Sequence, residues 1–151
     1  MSFLFAGIIA AAIAVFAELT VSSSTDIVFT ARQTIVENVS ITPIGILLFA
    51  AIEELLKFSL LMRITVAARE RLPFPIRTGL FAIGFGTVEI FLARDMFPDA
   101  PTLALAGIFL VHVATVFLYG FAIEKQPSKK LLLAGTVLLG IAVHFAYNTL
   151  I

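Results

Sequence analysis

Two carboxylates and an ammonium group stand together in Glu53-Glu54-x-x-Lys57, inside a stretch otherwise apolar enough to cross a membrane. Further along are Glu89 in GFGTVEIF, His112 in FLVHVATVF, and His144 with Asn148 in AVHFAYNTL. A charge at the centre of a bilayer costs roughly 2.5–3.5 kcal/mol even on lenient insertion scales, so these groups must face a protein interior or water and must have partners. Two imidazoles and a carboxylate can hold a divalent ion such as Zn2+ and leave a position for water, while a spare glutamate takes the water's proton. Without a metal, a glutamate in a low-dielectric cavity can activate water directly, with His and Asn side chains stabilising the oxyanion. Both routes end in hydrolysis of an amide. Neither requires a nucleophilic serine, and the chain contains no HExxH, GxSG or GxGD motif.

Each residue also has a plainer role. Glu53 and Lys57 are four apart and suit a buried ion pair. A lone intramembrane histidine is often a hydrogen-bonded packing residue, and Asn148 near a helix end suits a cap. Glu18 and Arg63 lie near segment ends, where long side chains snorkel to the interface. The glycines of GFG suit close helix packing. The set as a whole resists these readings because its members fall on four helices at compatible depths. At 1.5 Å per residue, Glu53 and His112 lie about 14–15 Å below one membrane boundary, His144 about 10 Å and Glu89 about 6 Å. Glu53 and Lys57 share a helical face, as do Phe85 and Glu89, and His144 and Asn148. Glu54 is turned about 100° from Glu53, which predicts different tasks for the two.

The elements that must position these groups follow from hydropathy. Of 151 residues, 60% are hydrophobic and 13% charged, and the mean hydropathy is +1.09, which marks an integral membrane protein. Five segments qualify as spanning helices: 3–21, 44–66, 78–93, 102–123 and 131–151. The chain therefore reads as an all-α, polytopic transmembrane bundle of about five spans, a single integral-membrane domain over 1–151, with a four-helix catalytic core in segments two to five. Thr42-Pro43 and Asp99-Ala100-Pro101-Thr102 look like helix starts, and Pro73 and Pro75 delay the third span to Thr78. Between Ser22 and Thr42, apolar Ile27, Ala31, Ile35 and Val39 recur every four residues, which suits a short interfacial helix or an ordered loop. The first segment lacks a basic region in front of it and reads as a span rather than a cleaved leader.

Ten basic and ten acidic residues cancel, so nothing points to nucleic acid. There is no cysteine, which excludes thiolate ligands and a cysteine nucleophile. With no tryptophan, an interfacial aromatic belt falls to Tyr119, Tyr147 and fifteen phenylalanines. Arg69, Arg71 and Arg77 follow the second segment and Lys125, Lys129 and Lys130 the fourth, against one arginine in each other loop, Arg32 and Arg94. The expected placement is a multi-pass protein of the cell membrane with its amino terminus inside and its carboxyl terminus outside.

In order along the chain, Glu53-Glu54-x-x-Lys57, Phe85-x-x-x-Glu89, His112 alone on the next helix and His144-x-x-x-Asn148 resemble the PrsW family of intramembrane proteases, distant relatives of the CAAX-prenyl-protease and Abi superfamily. The resemblance covers segments two to five. It implies cleavage of a membrane-associated protein, with Glu53 and Glu54 as general base and partner and with Glu89, His112 and His144 completing the site. Glu89 stands where CAAX-type relatives carry the histidine of FxxxH, and Ile90 stands where PrsW-like chains commonly carry asparagine.

The expectation is a peptidase whose cavity opens to the outer leaflet, acting on a membrane-anchored protein or peptide in the lipid bilayer. Glu53 or Glu54 activates water. His112, His144 and Glu89 bind a metal, with Zn2+ the candidate, or polarise the carbonyl. Asn148 orients His144 or serves the oxyanion, Lys57 restrains the glutamate charge with Phe85 in support, and no organic cofactor is required. The alternatives are a proton- or ion-coupled transporter that uses the buried Glu/His groups as a relay, and a binding or assembly protein.

Overall fold

The computed structural model describes residues 3–25, 43–68, 72–125 and 128–150. Among them every regular element is helical: α1 (Phe3–Thr25), α2 (Pro43–Ala68), α3 (Phe74–Met96), α4 (Thr102–Lys125) and α5 (Lys130–Leu150). The expected interfacial helix after residue 25, Thr42 as a cap, and Arg69 and Arg71 lie outside the described residues.

Helix starts follow proline chemistry. Pro43 opens α2, and Pro101 accepts backbone bonds from Ala104 and Leu105 at the head of α4. The expected start of the third span at Thr78 is corrected to Phe74. Pro73 is the cap and Pro75 sits inside the first turn, where the missing N–H has no intrahelical acceptor and the fixed φ already suits a helix. At the other end the Phe97 N–H donates to the Ala93 carbonyl at 2.8 Å, so α3 is 23 residues long instead of the expected sixteen.

Packing places the helices in a ring in the order α1, α3, α4, α5, α2, with α2 and α4 also touching across it. Helix α1 packs against both α2 and α3 and joins the bundle formed by segments two to five. Small residues make this possible. Lipid tails give no hydrophobic drive for helix association, so backbones must approach closely to gain dispersion energy. Ala6, Ala10, Ala11 and Ala14 are buried on one face of α1. A Cβ on Gly7 would strike the backbone of Phe81 and Phe85, and one on Gly84 the backbone of Leu4 and Ile8. The GFG glycines therefore serve packing, as expected.

Large apolar side chains cover the outside of all five helices, among them Phe16, Leu55, Phe91, Leu110 and Leu138, the surface expected of a protein solvated by lipid. Helices α1, α3, α4 and α5 are long and apolar enough to cross a membrane. Helix α2 is the longest, at 26 residues, or about 39 Å. Its interior carries Glu53, Glu54 and Lys57, all turned inward and buried while Leu47 and Leu55 face out.

The two halves of the bundle differ. Around Leu61, Phe81, Val116, Tyr119, Ile123, Leu133 and Val137 the core is closed, and buried Arg77 of α3 pairs there with Glu124 of α4. Toward the α3–α4 loop the helices diverge around a cavity of about 760 Å³.

Candidate functional site

Residues from all five helices line that cavity: Glu18 of α1, Glu53 of α2, Glu89 of α3, His112 of α4, and His144 and Asn148 of α5. The turn from Met96 to Pro101 lines one end of it, and Val15, Leu19, Ile46, Phe49, Leu92 and Ile108 line its walls. The antiparallel arrangement brings the candidate groups to the walls of one cavity.

The two adjacent glutamates do different things. Glu54 is fully buried and both of its carboxylate oxygens are hydrogen-bonded. Oε1 accepts from Lys57, with which it forms an ion pair, and from His144 Nδ1 at 2.8 Å; Oε2 accepts from the Tyr119 hydroxyl at 2.6 Å. Lys57 thus pairs with the residue three positions back, not with Glu53 as the i,i+4 spacing suggests. Its other donors go to His112 Nδ1 at 2.9 Å and Thr115 Oγ1 at 3.5 Å, and its ammonium lies 4.8 Å from the centre of the Phe85 ring. Three N–H groups have three partners, so a buried ammonium is fully satisfied.

Glu53 faces the cavity. Its Oε2 is buried with no hydrogen-bond partner among the described residues and lies 3.7 Å from His144 Nδ1. The two imidazoles meet edge to face with ring centres 5.1 Å apart, and Phe85 packs against His112 at 5.1 Å. One donor atom each from Glu53, His112 and His144 falls within 4.8 Å of the others, a group that could hold a metal ion. The carboxylate in this group is Glu53's. Glu89, the ligand expected from the sequence, lines the same cavity without joining the group, and its Oε1 is buried and unpartnered.

Proton placement follows from the partners. Glu54 accepts at His144 Nδ1, so that nitrogen carries the hydrogen and Nε2 is left with a lone pair, the arrangement that orients a ligating or basic imidazole. Lys57 can only donate, so His112 Nδ1 accepts. The neutral His112 ring then carries its hydrogen on Nε2, as a donor. Glu53 and His144 fit a metal as they stand, whereas His112 fits only if it surrenders its bond to Lys57.

Several expectations are corrected. The group that orients His144 is Glu54; Asn148 lines the cavity one turn further along α5. Glu18 does not snorkel: it lines the cavity, its Oε1 is buried and unpartnered, and it comes close enough to Glu53 for a side-chain hydrogen bond. Tyr119 is not interfacial but fully buried, and Gly140 of α5 makes room for it, since a Cβ there would collide with its hydroxyl. Tyr119 and Thr115 were legible in principle, because with His112 they form a polar stripe spaced three and four residues apart along α4. No known protein family, curated protein or solved structure matches the chain.

Proposed function

We propose that this membrane protein is an intramembrane peptidase of the PrsW type, which hydrolyses a peptide bond of a membrane-associated protein. The observation that carries the reading is the division of labour at the paired glutamates. Glu54 is locked by three donors, while its neighbour Glu53 presents an oxygen unpartnered among the described residues to a cavity beside two imidazoles, one held by Lys57 and the other by Glu54.

In this mechanism Glu53 takes a proton from water as the water oxygen bonds to the scissile carbonyl carbon. The His112 Nε2–H donates to the oxyanion, a preorganised role that Lys57 enforces through Nδ1. As the tetrahedral species collapses, the C–N bond breaks and Glu53 returns the proton to the departing amine. His144, held by Glu54, accepts a hydrogen bond from the water through Nε2. Asn148 and Glu89 contact substrate along the cavity wall. Were Zn2+ held by Glu53 and His144 instead, it would supply Lewis-acid polarisation of the carbonyl in place of the roles of those two residues.

The test is a panel of single-span reporter proteins with different juxtamembrane sequences, each reconstituted with purified wild type or with Glu53→Gln. At least one reporter should be cut by wild type and left intact by the variant. Cleavage that survives Glu53→Gln in a folded protein would overturn the reading. Elemental analysis of wild type beside His112→Ala/His144→Ala decides the metal: one ion per chain, lost in the variant, assigns a metallopeptidase, and active metal-free protein assigns the glutamate mechanism. A relay for protons or ions is the second reading, favoured by the unpartnered oxygens of Glu18, Glu53 and Glu89 in one cavity. It predicts flux across proteoliposomes with no reporter cut.

A further inference from the structure

Helix α5 begins against its own dipole. The amino-terminal end of a helix favours negative charge and disfavours positive, yet Lys129 stands just before α5 and Lys130 opens it, with no acid in the first turn. No Asp or Glu occurs anywhere from Lys125 to Ile151, and Glu124, the last acid of the chain, is taken by Arg77. Among the described residues neither Lys129 nor Lys130 has a carboxylate within ion-pair distance. Two exposed cations therefore repel each other and the helix end until an anion joins them.

A groove runs from these lysines along the outer surface of α5. It encloses about 710 Å³ and is lined beyond them by Leu131, Leu132, Gly135, Thr136 and Leu139. Gly135 is its notch. A Cβ there would meet nothing within 4 Å, whereas one on Gly140 would collide with Tyr119, so the space left at Gly135 serves nothing inside the bundle. Thr136 turns its hydroxyl to its own helix, donating to the Leu133 carbonyl at 2.7 Å. A different face of α5, with Leu133, Val137 and Gly140, is the buried one. From Leu131 to Leu139 the groove runs about 12 Å, within the roughly 15 Å that the acyl chains of one leaflet span.

We propose that this groove seats one anionic phospholipid, with its phosphate at Lys129 and Lys130 and the upper part of an acyl chain over Gly135. Charge at one end and an apolar floor beyond it match a phospholipid followed from the interface inward. A soluble anion would use the lysines and leave the groove bare, and a zwitterionic lipid would bring an ammonium group to two others. The expected orientation puts this end at the cytoplasmic leaflet, where the surface is negative. A signal for orientation needs only charge near the membrane, while a lipid seat also needs the groove. Lys125, the third lysine at this end, does not line it, and that separates the two roles.

The test is independent of the peptidase reading. Purified protein in a neutral detergent receives equal amounts of phosphatidylglycerol and phosphatidylcholine with identical acyl chains, and retained lipid is counted by native mass spectrometry. Wild type should keep one phosphatidylglycerol per chain, preferred by about twenty-five-fold, or about fivefold for each lysine. Lys129→Gln/Lys130→Gln should remove the preference and Lys125→Gln should leave it. Gly135→Leu, which has open space for its side chain, should weaken retention about tenfold by displacing roughly two methylene groups. Equal retention of the two lipids by wild type overturns the proposal, as does retention unchanged by Gly135→Leu, or a loss with Lys125→Gln as large as with the double variant. A protein dimer in place of bound lipid, dissolved by Gly135→Leu, would assign the groove to a second copy and overturn it too. As a check free of variants, phosphatidylglycerol with a diazirine on its acyl chain should label residues 131–139 in proteoliposomes; labelling spread evenly over the lipid-facing helices is the contrary result.

Discussion

At the scale of residues, the glutamate pair sets out two opposite experiments on neighbouring positions. Glu54→Gln removes the anion that holds Lys57, His144 and Tyr119. Breaking a buried ion pair from one side costs about 3–5 kcal/mol, so this variant should unfold far more readily in denaturant and lose activity with its fold. Glu53→Gln disturbs no bonded partner at its free oxygen, so it should keep wild-type stability and lose cleavage alone. Equal destabilisation of both would refute the assignment. Tyr119→Phe leaves one Glu54 oxygen without its donor and should cost about 1–3 kcal/mol, read as a lower midpoint in the same titration. The types of these residues were legible because charge inside an apolar run is conspicuous. Their pairing was not. Spacing alone allows Lys57 to reach either glutamate, and the choice falls to Glu54 because His112 and Thr115 of α4 stand on that side of α2 to share the ammonium.

At the scale of elements, proline and glycine account for both the errors and the successes of reading the chain. A proline taken as a breaker belongs to the first turn of α3, which lengthens that helix by a turn at its start. The helix ends near Pro43 and Thr102 were legible for the same reason, since they depend on local chemistry. The packing of α1 against both α2 and α3 depends on which faces are small enough to meet, and the alanine and glycine spacing of α1 carried that information in a form that hydropathy hides. Gly84→Val should therefore force α1 from α3, since backbone atoms cannot swing aside. Overpacking of this kind costs about 1–3 kcal/mol, and disulfide trapping between cysteines introduced on the two helices should slow measurably in the variant. Gly140→Ala presses only on the Tyr119 side chain. It should reduce activity with little loss of helical content, which circular dichroism beside the reporter assay would check.

At the scale of the whole molecule, the basic residues predict that the end of the cavity at the α3–α4 turn faces outside. The chain has no cysteine of its own, so single cysteines report topology without background. Asp99→Cys in the α3–α4 turn should react with an impermeant maleimide added to intact cells, and Ser128→Cys, before α5, only after the membrane is opened. The reverse pattern would invert the orientation. Lipid-facing side chains on every helix made the membrane class evident from composition alone, whereas the taper of the bundle from a packed end to an open one was invisible there, because it arises from which side chains meet across helices.

That taper has a kinetic meaning. Among the described residues, the Leu61, Phe81 and Tyr119 layer and the Arg77–Glu124 pair stopper one end of the chamber, which predicts exchange with one compartment only. Whatever enters must leave by the way it came. Product departure then competes with substrate arrival for the same passage, so accumulated product should inhibit competitively.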